Sequence, residues 1–564
     1  MMLRQQLARL SCAAALLGLA GAGAAPALAA DCPDPVPPAI EDLPDPPELV
    51  SEGGVLRGTL TVAPAEITVR GCKIVSNVIN GDYMAPTLRV RRGDTIGISA
   101  VNQIGPADVN IDGRQPTNIH YHGMDVSPRL EPPGDNVFIR IRPDRGLRYD
   151  VFVPEDHPQG LHWYHAHVHH FVDDQIGSGV SGMLIVEGFI EEQYPELAGL
   201  RQRVMVFKDF TFPDFEDGDA RAKSLNGFAE PPIRARPGEY QIWQLGNLGA
   251  DAFFDMKLDG HEVWLIERDG NLLLQPVRVD HVFLPPGARA VVVVQAGEAG
   301  SYAYHHLNVD TGPAGDPNPP ERLGTLIVSS EPVGGGSAIR ERLREGPAHP
   351  DQIQPNPETV AGLDVTRTRY IDFSESADGN TFFINNKTYK ESRVDTTTRV
   401  GQVERWIVRN FSQELHVFHL HQTEFLIKRF SGTPDETLGF GLRDVIDIPY
   451  AEKGVPGFAE LIIPFTNPII AGEFVYHCHL VQHEDAGMMA NILVKPRRTL
   501  TEQIWDKVTE LAGLGLPGLW SDGDASARLA AELDANICRA EPDEPGAGTP
   551  SATPIAPTPL AARG

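Results

Sequence analysis

The sequence predicts an all-β protein of three β-sandwich domains with a short helical extension at its carboxyl end. Alternating apolar and polar runs, bounded by turn residues, indicate antiparallel strands. The chain of 564 residues contains 55 Gly and 48 Pro, which suits many short strands and turns, and its 41% hydrophobic content can build several cores. A pattern that occurs three times along the chain indicates three sandwiches.

The repeat is clearest in a strand that begins at a glycine turn and ends at an asparagine nine positions later. It runs from Gly93 to Asn102, from Gly238 to Asn247 and from Gly401 to Asn410. A turn marked by asparagine precedes each copy, at Asn80, Asn226 and Asn385. A second match closes each copy with Gly, three further residues, Tyr and His, ending at His165, His305 and His477.

Residues 1–30 have the layout of a cleaved export signal. Arg4 and Arg9 precede an apolar run from Leu10 to Ala24, and small residues follow up to Asp31. The run is too short to span a membrane. We therefore expect an exported protein, periplasmic or secreted, without a membrane span. Residues 31–52 are rich in proline and acidic residues, which predicts an extended arm.

The domain ranges follow from the repeat. We expect domain 1 at residues 53–192, domain 2 at 200–332 and domain 3 at 364–497. The linker at 333–363 is rich in Gly and Pro, and a short charged helix is expected from Ile339 to Arg344. Helical spacing after Lys495 predicts a helical extension at 498–540, and the Pro, Ala and Thr content of 541–564 predicts a disordered tail.

The charge of the chain restricts its partners. The formal net charge is -28, from 76 acidic and 48 basic residues. This balance argues against nucleic acid and favours cations or neutral small molecules. We expect a monomer.

A thirteen-residue stretch near the end of the β pattern indicates a metal site. Residues 476–488 contain a cysteine, three histidines and a methionine, a donor set that soft and borderline transition metals prefer, with copper the first to test. Successive side chains of a strand point to opposite faces, so Cys478 would face one way while His477 and His479 face the other. One strand would then contact two metal sites.

The cysteine needs partners from other parts of the chain. His483 and Met488 follow Cys478 by five and ten positions, so a loop can fold back to form a trigonal site with a weak axial sulfur. His416 is the best candidate for the missing histidine. Four motifs hold ten of the 19 histidines: His120 and His122; His165 and His167; His416, His419 and His421; His477, His479 and His483. One such pair is usually an ordinary feature, whereas all four in this order are hard to obtain by accident.

At these residues the chain resembles the multicopper oxidases, from about Gly53 to Lys495. The resemblance implies three Greek-key sandwiches of the cupredoxin type and four bound copper ions: one type 1, one type 2 and two type 3. It implies type 1 ligands His416, Cys478 and His483 with Met488 axial, and type 2 ligands His120 and His419. It implies type 3 ligands His122, His165 and His479 on one ion, and His167, His421 and His477 on the other. Val417 stands where many laccases have proline, and it is not a ligand.

The middle copy of the repeat lacks these donors. Its closing motif reads His305-His306-Leu307, and the residues directly after Asn247, Leu248-Gly249-Ala250, include no histidine. We therefore expect domain 2 to be a spacer without copper. The eight ligands of the trinuclear cluster come equally from domains 1 and 3, so the cluster is expected where those two domains meet.

The resemblance implies a laccase-like oxidase. It would couple one-electron oxidation of a donor at the type 1 copper to four-electron reduction of dioxygen to water at the trinuclear cluster. Electrons would enter through His483 or His416 and pass from Cys478 to a neighbouring histidine. Glu484 matches a carboxylate that relays protons in similar bacterial enzymes, and Asp135 matches a second one. The alternative interpretation of both carboxylates is a solvated acidic loop.

Phenols or aromatic amines are the expected donors. An axial Met488 argues for a lower potential than the Leu or Phe of high-potential laccases, which favours easily oxidised donors. The acidic Glu414, Glu484 and Asp485 could accept a phenolic proton or attract a cation, so a cuprous, ferrous or manganous oxidase is the alternative. With only nine methionines, a cuprous oxidase is less favoured.

Two non-enzymatic alternatives are weaker. A copper-free relative of the cell-division kind would have degenerate ligand positions, and none is degenerate here. A copper store would need more cysteine and methionine than the chain has.

The mature chain would keep four cysteines. After removal of the signal, Cys32, Cys72 and Cys538 remain in addition to Cys478, and one disulfide and one free thiol is the simplest arrangement of these three. The resemblance to some laccases suggests a bond from Cys538 to Cys32 or Cys72, and the sequence does not choose between them.

Overall fold

A computed structural model describes residues 38–107, 115–130, 132–211, 220–432 and 441–498. The expected export signal, the start of the arm, the helical extension and the tail lie outside these ranges. Strands dominate the described chain, and the predicted all-β class is confirmed. Six sheets form three successive pairs, which we call the first, second and third units. The exact domain boundaries remain a prediction.

The first unit covers residues 48–186 and encloses one core. Its sheets have the strand orders β1-β4-β9-β8-β6 and β3-β2-β5-β7, and apolar side chains of both sheets meet in a shared cluster. The strands are β1 (Glu48–Val50), β2 (Val55–Val69), β3 (Cys72–Ile79), β4 (Thr87–Val90), β5 (Thr95–Asn102), β6 (His120–His122), β7 (Arg145–Phe152), β8 (Gly160–His165) and β9 (Ser181–Val186). Helix α1 (Val172–Ser178) lies between β8 and β9, and α2 (Phe189–Gln193) follows.

The second unit covers residues 201–328. Its sheets have the orders β11-β10-β13-β18-β15-β16 and β12-β20-β19-β14-β17, again around a shared core. The strands are β10 (Arg201–Phe210), β11 (Ala222–Leu225), β12 (Pro232–Ala235), β13 (Tyr240–Asn247), β14 (Phe254–Leu258), β15 (Val263–Arg268), β16 (Asn271–Val279), β17 (Val282–Leu284), β18 (Arg289–Gln295), β19 (Gly300–His306) and β20 (Glu321–Val328).

Two short helices precede the third unit. The charged helix predicted in the linker is confirmed as α3 (Ser337–Glu345), and α4 (Pro357–Ala361) follows. The third unit has the sheets β22-β21-β24-β28-β26 and β23-β30-β29-β25-β27. Its elements are β21 (Arg367–Glu375), β22 (Phe382–Ile384), β23 (Val394–Arg399), β24 (Gln402–Asn410), β25 (His416–Leu420), β26 (Leu426–Phe430), β27 (Val445–Ile448), β28 (Gly457–Phe465), β29 (Gly472–Cys478), α5 (Val481–Asp485) and β30 (Met489–Lys495).

The glycine that opens each repeated strand is required by backbone geometry. Gly93, Gly238 and Gly401 have φ values of 81°, 80° and 95°, in a region that other residues enter only at a cost. The three strands that follow are β5, β13 and β24, and each pairs parallel on one side and antiparallel on the other. The sequence pattern therefore marks the same place in all three units.

The first two units are packed tightly against each other. One apolar cluster runs from Trp163 and Ile185 in the first unit to Val206 and Val293 in the second. The predicted arm also contacts the second unit, because Leu43 is buried and its N–H donates to the carbonyl of Pro232 at 2.7 Å. The last part of the arm forms β1. Within the described ranges, no helix has the length and apolar content needed to cross a bilayer.

Candidate metal centre

The four histidine motifs meet at the boundary between the first and third units. In the first unit, β6 pairs with β8 so that His120 stands opposite His165. In the third, β25 pairs with β29 so that His419 stands opposite His477. Strand pairing therefore places two motifs side by side in each unit, and the two pairs face each other. We call the following eight side chains the histidine cluster: His120, His122, His165, His167, His419, His421, His477 and His479.

Nitrogen atoms of the cluster converge across the boundary. Nδ1 of His122 lies 3.2 Å from Nε2 of His479, and Nε2 of His167 lies 3.3 Å from Nε2 of His477. Within the third unit, Nε2 of His421 lies 3.1 Å from Nε2 of His477. Several groups of three nitrogen atoms lie close enough to share one metal ion, and one of them is the implied trio of His167, His421 and His477. His165 is grouped with His120 and His122.

The chemistry of these nitrogen atoms fits a metal ion. Burial lowers the pKa of His477 to about 3 and that of His122 well below its usual value, so the rings are neutral at pH 7 and carry lone pairs. Nε2 of His120, His165 and His419 is buried without a hydrogen-bond partner, which is rare for a buried polar atom. Converging lone pairs repel one another unless a cation lies between them. Imidazole is a ligand that suits copper.

A second group of donors surrounds Cys478, and we call His416, Cys478 and His483 the cysteine site. The Nδ1 atoms of the two histidines lie 3.1 Å apart, and the cysteine Sγ lies 3.6 Å from Nδ1 of His416 and 3.9 Å from Nδ1 of His483. All three side chains are buried and can hold one metal ion together. Two histidines and one cysteine are the donor set of blue-copper sites.

The partners of the cysteine site orient it. The Ser412 hydroxyl lies 2.8 Å from Nε2 of His416, which leaves Nδ1 to face the cysteine. Burial lowers the pKa of His416 to about 3 and raises the pKa of the Cys478 thiol. The implied axial residue, Met488, is fully buried in the same core, and its carbonyl accepts the Cys478 N–H at 3.0 Å. The donor atoms other than the methionine sulfur are thus brought together as the sequence suggested.

Adjacent residues of β29 serve the two groups of donors. On β29, His477 faces the histidine cluster and Cys478 faces the cysteine site, and His479, directly after the strand, faces the cluster again. This is the alternation of side chains along a strand. The two groups are therefore joined by a few covalent bonds of one chain segment.

The two predicted carboxylates are buried beside cluster histidines. Glu484 has no exposed surface, and its Oε2 lies 3.1 Å from Nδ1 of His477 while Oε1 lies 3.4 Å from Nδ1 of His167. Burial raises the pKa of Glu484, and the charge of Asp485 adds to this effect. A solvated loop is therefore the wrong interpretation of Glu484.

Asp135 has a different environment. Its Oδ1 lies 2.9 Å from Nδ1 of His120 and also accepts the Tyr121 N–H at 2.9 Å, while Oδ2 accepts from the Gln422 amide at 2.5 Å. Both oxygens are thus engaged. Asp135 holds the His120 ring with Nε2 directed into the cluster. It is 1% exposed, which also excludes a solvated loop.

Two residues near the cluster have no signal in the sequence. Oδ1 of Asp444 lies 3.2 Å from Nε2 of His122, and the Asp444 carbonyl accepts from Nδ1 of His419 at 2.9 Å. Arg289 of the second unit forms an ion pair with Asp444. Neither belongs to a motif with recognisable spacing. In the second unit itself, Nε2 of His305 lies 2.8 Å from Oδ1 of Asp259, and no group of three metal donors occurs among its described residues.

A cavity that is partly open to solvent lies beside the cysteine site, with about 470 Å³ of empty space including its mouth. Oε1 of Glu414 reaches within 3.5 Å of Nε2 of His483 and has no hydrogen-bond partner. Burial raises the pKa of Glu414 to about 9, and Glu375 contributes through a hydrogen bond. The remaining lining residues come from the second and third units: Arg221, Asp251, Ala252, Phe253, Thr311, Gly315, Asp316, Pro317, Asn318, Leu415 and Leu480.

Comparison with protein families points in one direction. Three models, each described as multicopper oxidase, match residues 61–189, 161–320 and 355–498. Together they span most of the three units and all the histidine motifs.

Individual relatives are distant. The chain is 23% identical over 431 residues to the multicopper oxidase mco of Staphylococcus aureus, covering 74% of this chain and 83% of that protein. It is 25% identical over 477 residues to the cell division protein FtsP of Xenorhabdus nematophila, covering 80% and 92%. A multicopper oxidase structure from Campylobacter jejuni, described as a metallo-oxidase, superposes with a TM-score of 0.66 at 23% identity, covering 81% of this chain and 96% of that one. This likeness confirms the cupredoxin type of the fold.

Proposed function

The chain belongs to the multicopper oxidase family, and on that premise we propose that it is a copper-dependent oxidase that couples one-electron oxidation of a small donor to four-electron reduction of dioxygen to water. The observation that carries this proposal is the position of Cys478 and His477 on one strand, in contact with two separate groups of metal donors. Copper bound in these groups would supply one-electron transfer at the cysteine site and reduction of dioxygen at the histidine cluster.

The proposed ligands keep the assignment implied by the motifs. The cysteine site would hold the type 1 ion, with Met488 as axial ligand. The cluster would hold three ions: the type 2 ion by His120 and His419, one type 3 ion by His122, His165 and His479, and the other by His167, His421 and His477.

We also propose export to the periplasm or outside the cell, based on the signal pattern in residues 1–30.

The similarity to a cell division protein raises a non-enzymatic alternative. The complete set of buried donors favours the oxidase. Nε2 of His120, His165 and His419 is kept free of hydrogen bonds at a cost of about 1–3 kcal/mol each, which a purely structural protein has no reason to retain.

Glu484 is the proposed proton carrier. Reduction of dioxygen to water consumes protons, and the cluster is closed to solvent because its side chains are at most 2% exposed. The two carboxyl oxygens of Glu484 face Nδ1 of His477 and Nδ1 of His167. Its raised pKa means that the carboxyl group can carry a proton in this apolar place. Asp135 is instead proposed to orient His120.

The cavity beside the cysteine site is the proposed place for the donor. Phe253, Pro317 and Leu415 offer apolar contacts to an aromatic ring. Glu414 lies where it can hydrogen-bond a hydroxyl or amino group that approaches His483. These contacts favour phenols and aromatic amines as donors.

Carboxylates in the same cavity support a second candidate donor. Asp251, Asp316 and Glu414 all line it, and carboxylate oxygens bind metal cations, Glu414 after loss of the proton that its raised pKa of about 9 retains at pH 7. A ferrous, manganous or cuprous ion is therefore the alternative donor. Arg221 is also present and lies 2.5 Å from Oδ2 of Asp251, so it offsets part of this negative charge.

Oxygen consumption by the copper-loaded protein tests the proposal. The panel contains substituted phenols, aromatic amines, Fe(II), Mn(II) and Cu(I), and the control is Cys478→Ser. We expect an intense visible absorption and donor-dependent oxygen uptake in the wild type, and neither in Cys478→Ser. A variant that remains blue and active contradicts the assignment.

Glu414→Gln distinguishes the two classes of donor. It removes a cation ligand but retains a hydrogen-bonding group, so oxidation of metal ions should decrease more than oxidation of phenols.

A further inference from the structure

We infer that the second unit supplies a positioning residue to the histidine cluster, Arg289, and thereby takes part in building a site whose proposed ligands all belong to the other two units. The inference rests on the proposed function, because it concerns the same cluster. The starting observation is that the guanidinium of Arg289 has no exposed surface and lies where the three units meet.

The contacts of Arg289 join all three units. Nη1 and Nη2 donate to Oδ1 and Oδ2 of Asp444 in the third unit at 2.8 and 2.6 Å. Nε donates to the carbonyl of Leu161 in the first unit at 3.0 Å, and Nη1 also donates to the carbonyl of Gly287 at 2.8 Å. A bidentate arginine–carboxylate pair of this kind fixes the orientation of the carboxylate as well as its distance from the guanidinium.

The ion pair acts on a cluster histidine through Asp444. Because both carboxylate oxygens are held by Arg289, the Asp444 side chain cannot turn away from Nε2 of His122, which lies 3.2 Å from Oδ1. The contact with a carboxylate assigns the ring hydrogen to Nε2. Nδ1 is then the nitrogen without a hydrogen, and it faces Nε2 of His479. Arg289 thus helps to select the nitrogen that His122 presents to a metal ion.

The backbone of the second unit supports the same conclusion independently. Gly287 precedes β18 and has a φ of 86°. A Cβ atom at this position would lie 3.1 Å from Cε1 of His122 and 3.2 Å from Nε2 of His479. The turn therefore packs directly against two cluster rings that belong to different units.

The second unit also holds the strand that carries His165. Oε1 of Glu267 accepts the N–H of Leu161 at 3.2 Å, and Arg289 donates to the carbonyl of the same residue. Leu161 lies on β8, which ends at His165. Both backbone groups of one residue in that strand are thus bound by side chains of the second unit.

Loss of the guanidinium should weaken copper binding by the cluster. Asp444 would be left as a buried carboxylate without its partner, which is strongly unfavourable. The orientation of His122 would no longer be fixed. Removal of a group that orients a metal ligand typically lowers metal affinity by about 10- to 100-fold.

The test compares Arg289→Met, Arg289→Lys and a matched control, Arg203→Met. Arg203 is an equally buried arginine of the second unit, 1% exposed, which pairs with Asp42 and makes no contact with the cluster. Copper content per chain is measured against graded chelator concentrations, together with the paramagnetic resonance signal of cluster copper. The visible absorption of the cysteine site serves as an internal reference.

We expect Arg289→Met to keep the visible absorption and to need about 10- to 100-fold more free copper to fill the cluster. Arg289→Lys should be intermediate, because an ammonium group is a point charge and cannot form the two-pronged contact. Arg203→Met should match the wild type. If Arg289→Met does not fold, Arg289→Lys decides, and an affinity equal to that of the wild type overturns the inference.

The two proposals fail in different ways. A wild type that shows no visible absorption and binds no cluster copper overturns the proposed function, and the inference falls with it. A wild type that binds copper normally, with the Arg289 variants showing the same cluster affinity and the same resonance signal, overturns the inference alone. A uniform loss of cluster copper in the Arg289 and Arg203 variants also overturns it, since the effect would then be general destabilisation.

Discussion

A histidine ring has two nitrogen atoms, and a hydrogen bond to one of them leaves the other free to bind a metal ion. In His120, Nδ1 faces Asp135, and in His477, Nδ1 donates to the carbonyl of Cys478 at 2.9 Å, so both rings present Nε2. In His122 the arrangement is reversed, because Asp444 takes Nε2. Side chains of the same type therefore bind in different ways within one cluster, and their surroundings cause the difference.

Copper binding at the cysteine site should release about one proton. Burial raises the pKa of the Cys478 thiol, so it keeps its proton at pH 7, whereas the lowered pKa of His416, about 3, means that this ring has none to lose. Burial also lowers the pKa of His483. Titration calorimetry in buffers of different ionisation enthalpy measures the proton release. Cys478→Ser should release about one proton fewer than the wild type, and equal release would contradict this charge assignment.

The sequence was informative about donors and silent about the groups that orient them. His, Cys and Met are rare enough that their spacing predicts a metal site. Asp444 and Arg289 belong to the commonest kinds of polar residue, and their role depends on contacts between segments that are far apart in the chain. Glu484 lies between these cases, because it directly follows a motif histidine, yet its complete burial is a property of the folded units.

Each repeated strand ends in an asparagine that bridges two loops. The side-chain amide of Asn102 donates to the carbonyls of Gln115 and Ile141, that of Asn247 to Ala252 and Leu284, and that of Asn410 to Glu414 and Ile448. Each Oδ1 accepts a backbone N–H two residues further on. The repeat therefore retains a loop-bridging residue even in the second unit, whose described residues form no group of three metal donors.

Asn247→Ala should lower the free energy of unfolding by about 2–4 kcal/mol, because three buried backbone groups lose a partner worth about 1 kcal/mol each. Urea unfolding of the copper-free protein, followed by circular dichroism, measures the loss. Asn380→Ala is the control at an exposed loop position and should change the free energy by less than about 0.5 kcal/mol. Equal effects of the two changes would show that the bridge does not stabilise the unit.

Local sequence patterns predicted where strands lie, but not which segments each strand pairs or packs with. The repeated strands, the closing strands and the linker helix could be located because periodicity and turn residues are local signals. The strand β1 was missed inside the proline-rich arm, since it exists only by pairing with β4. For the same reason, the packing of Leu43 against the second unit could not be predicted.

At the scale of the whole molecule, the equal division of the donors predicted where the cluster lies. Four cluster histidines come from each of the first and third units, so only their contact can assemble it. The contribution of the second unit could not be predicted in this way, because it consists of one arginine, one glycine turn and the strand contact at Leu161. Its sequence shows missing donors but does not show which neighbours it packs against.

Contacts other than metal ligands also hold the first and third units together. Arg140 forms a two-pronged ion pair with Glu391 at 3.0 and 2.6 Å, and the Asp485 carboxylate accepts the N–H groups of His170 and Asp173 at the start of α1. The copper-free protein should therefore fold with the units already in contact. Copper would then stabilise an assembly that exists before it binds.

Copper loading should raise the thermal midpoint, because the ions bind only the folded arrangement in which the two units meet. At free copper about 100 times the dissociation constant, one site adds about 2.7 kcal/mol to the free energy of unfolding. Differential scanning calorimetry compares the copper-loaded and chelator-treated protein, in the wild type and in a double variant, His165→Ala with His167→Ala, that lacks two donors of the first unit. The copper-induced shift of the double variant should fall to the part contributed by the cysteine site, since that site lies wholly within the third unit. An equal shift in both proteins would mean that the histidine cluster does not join the units through copper.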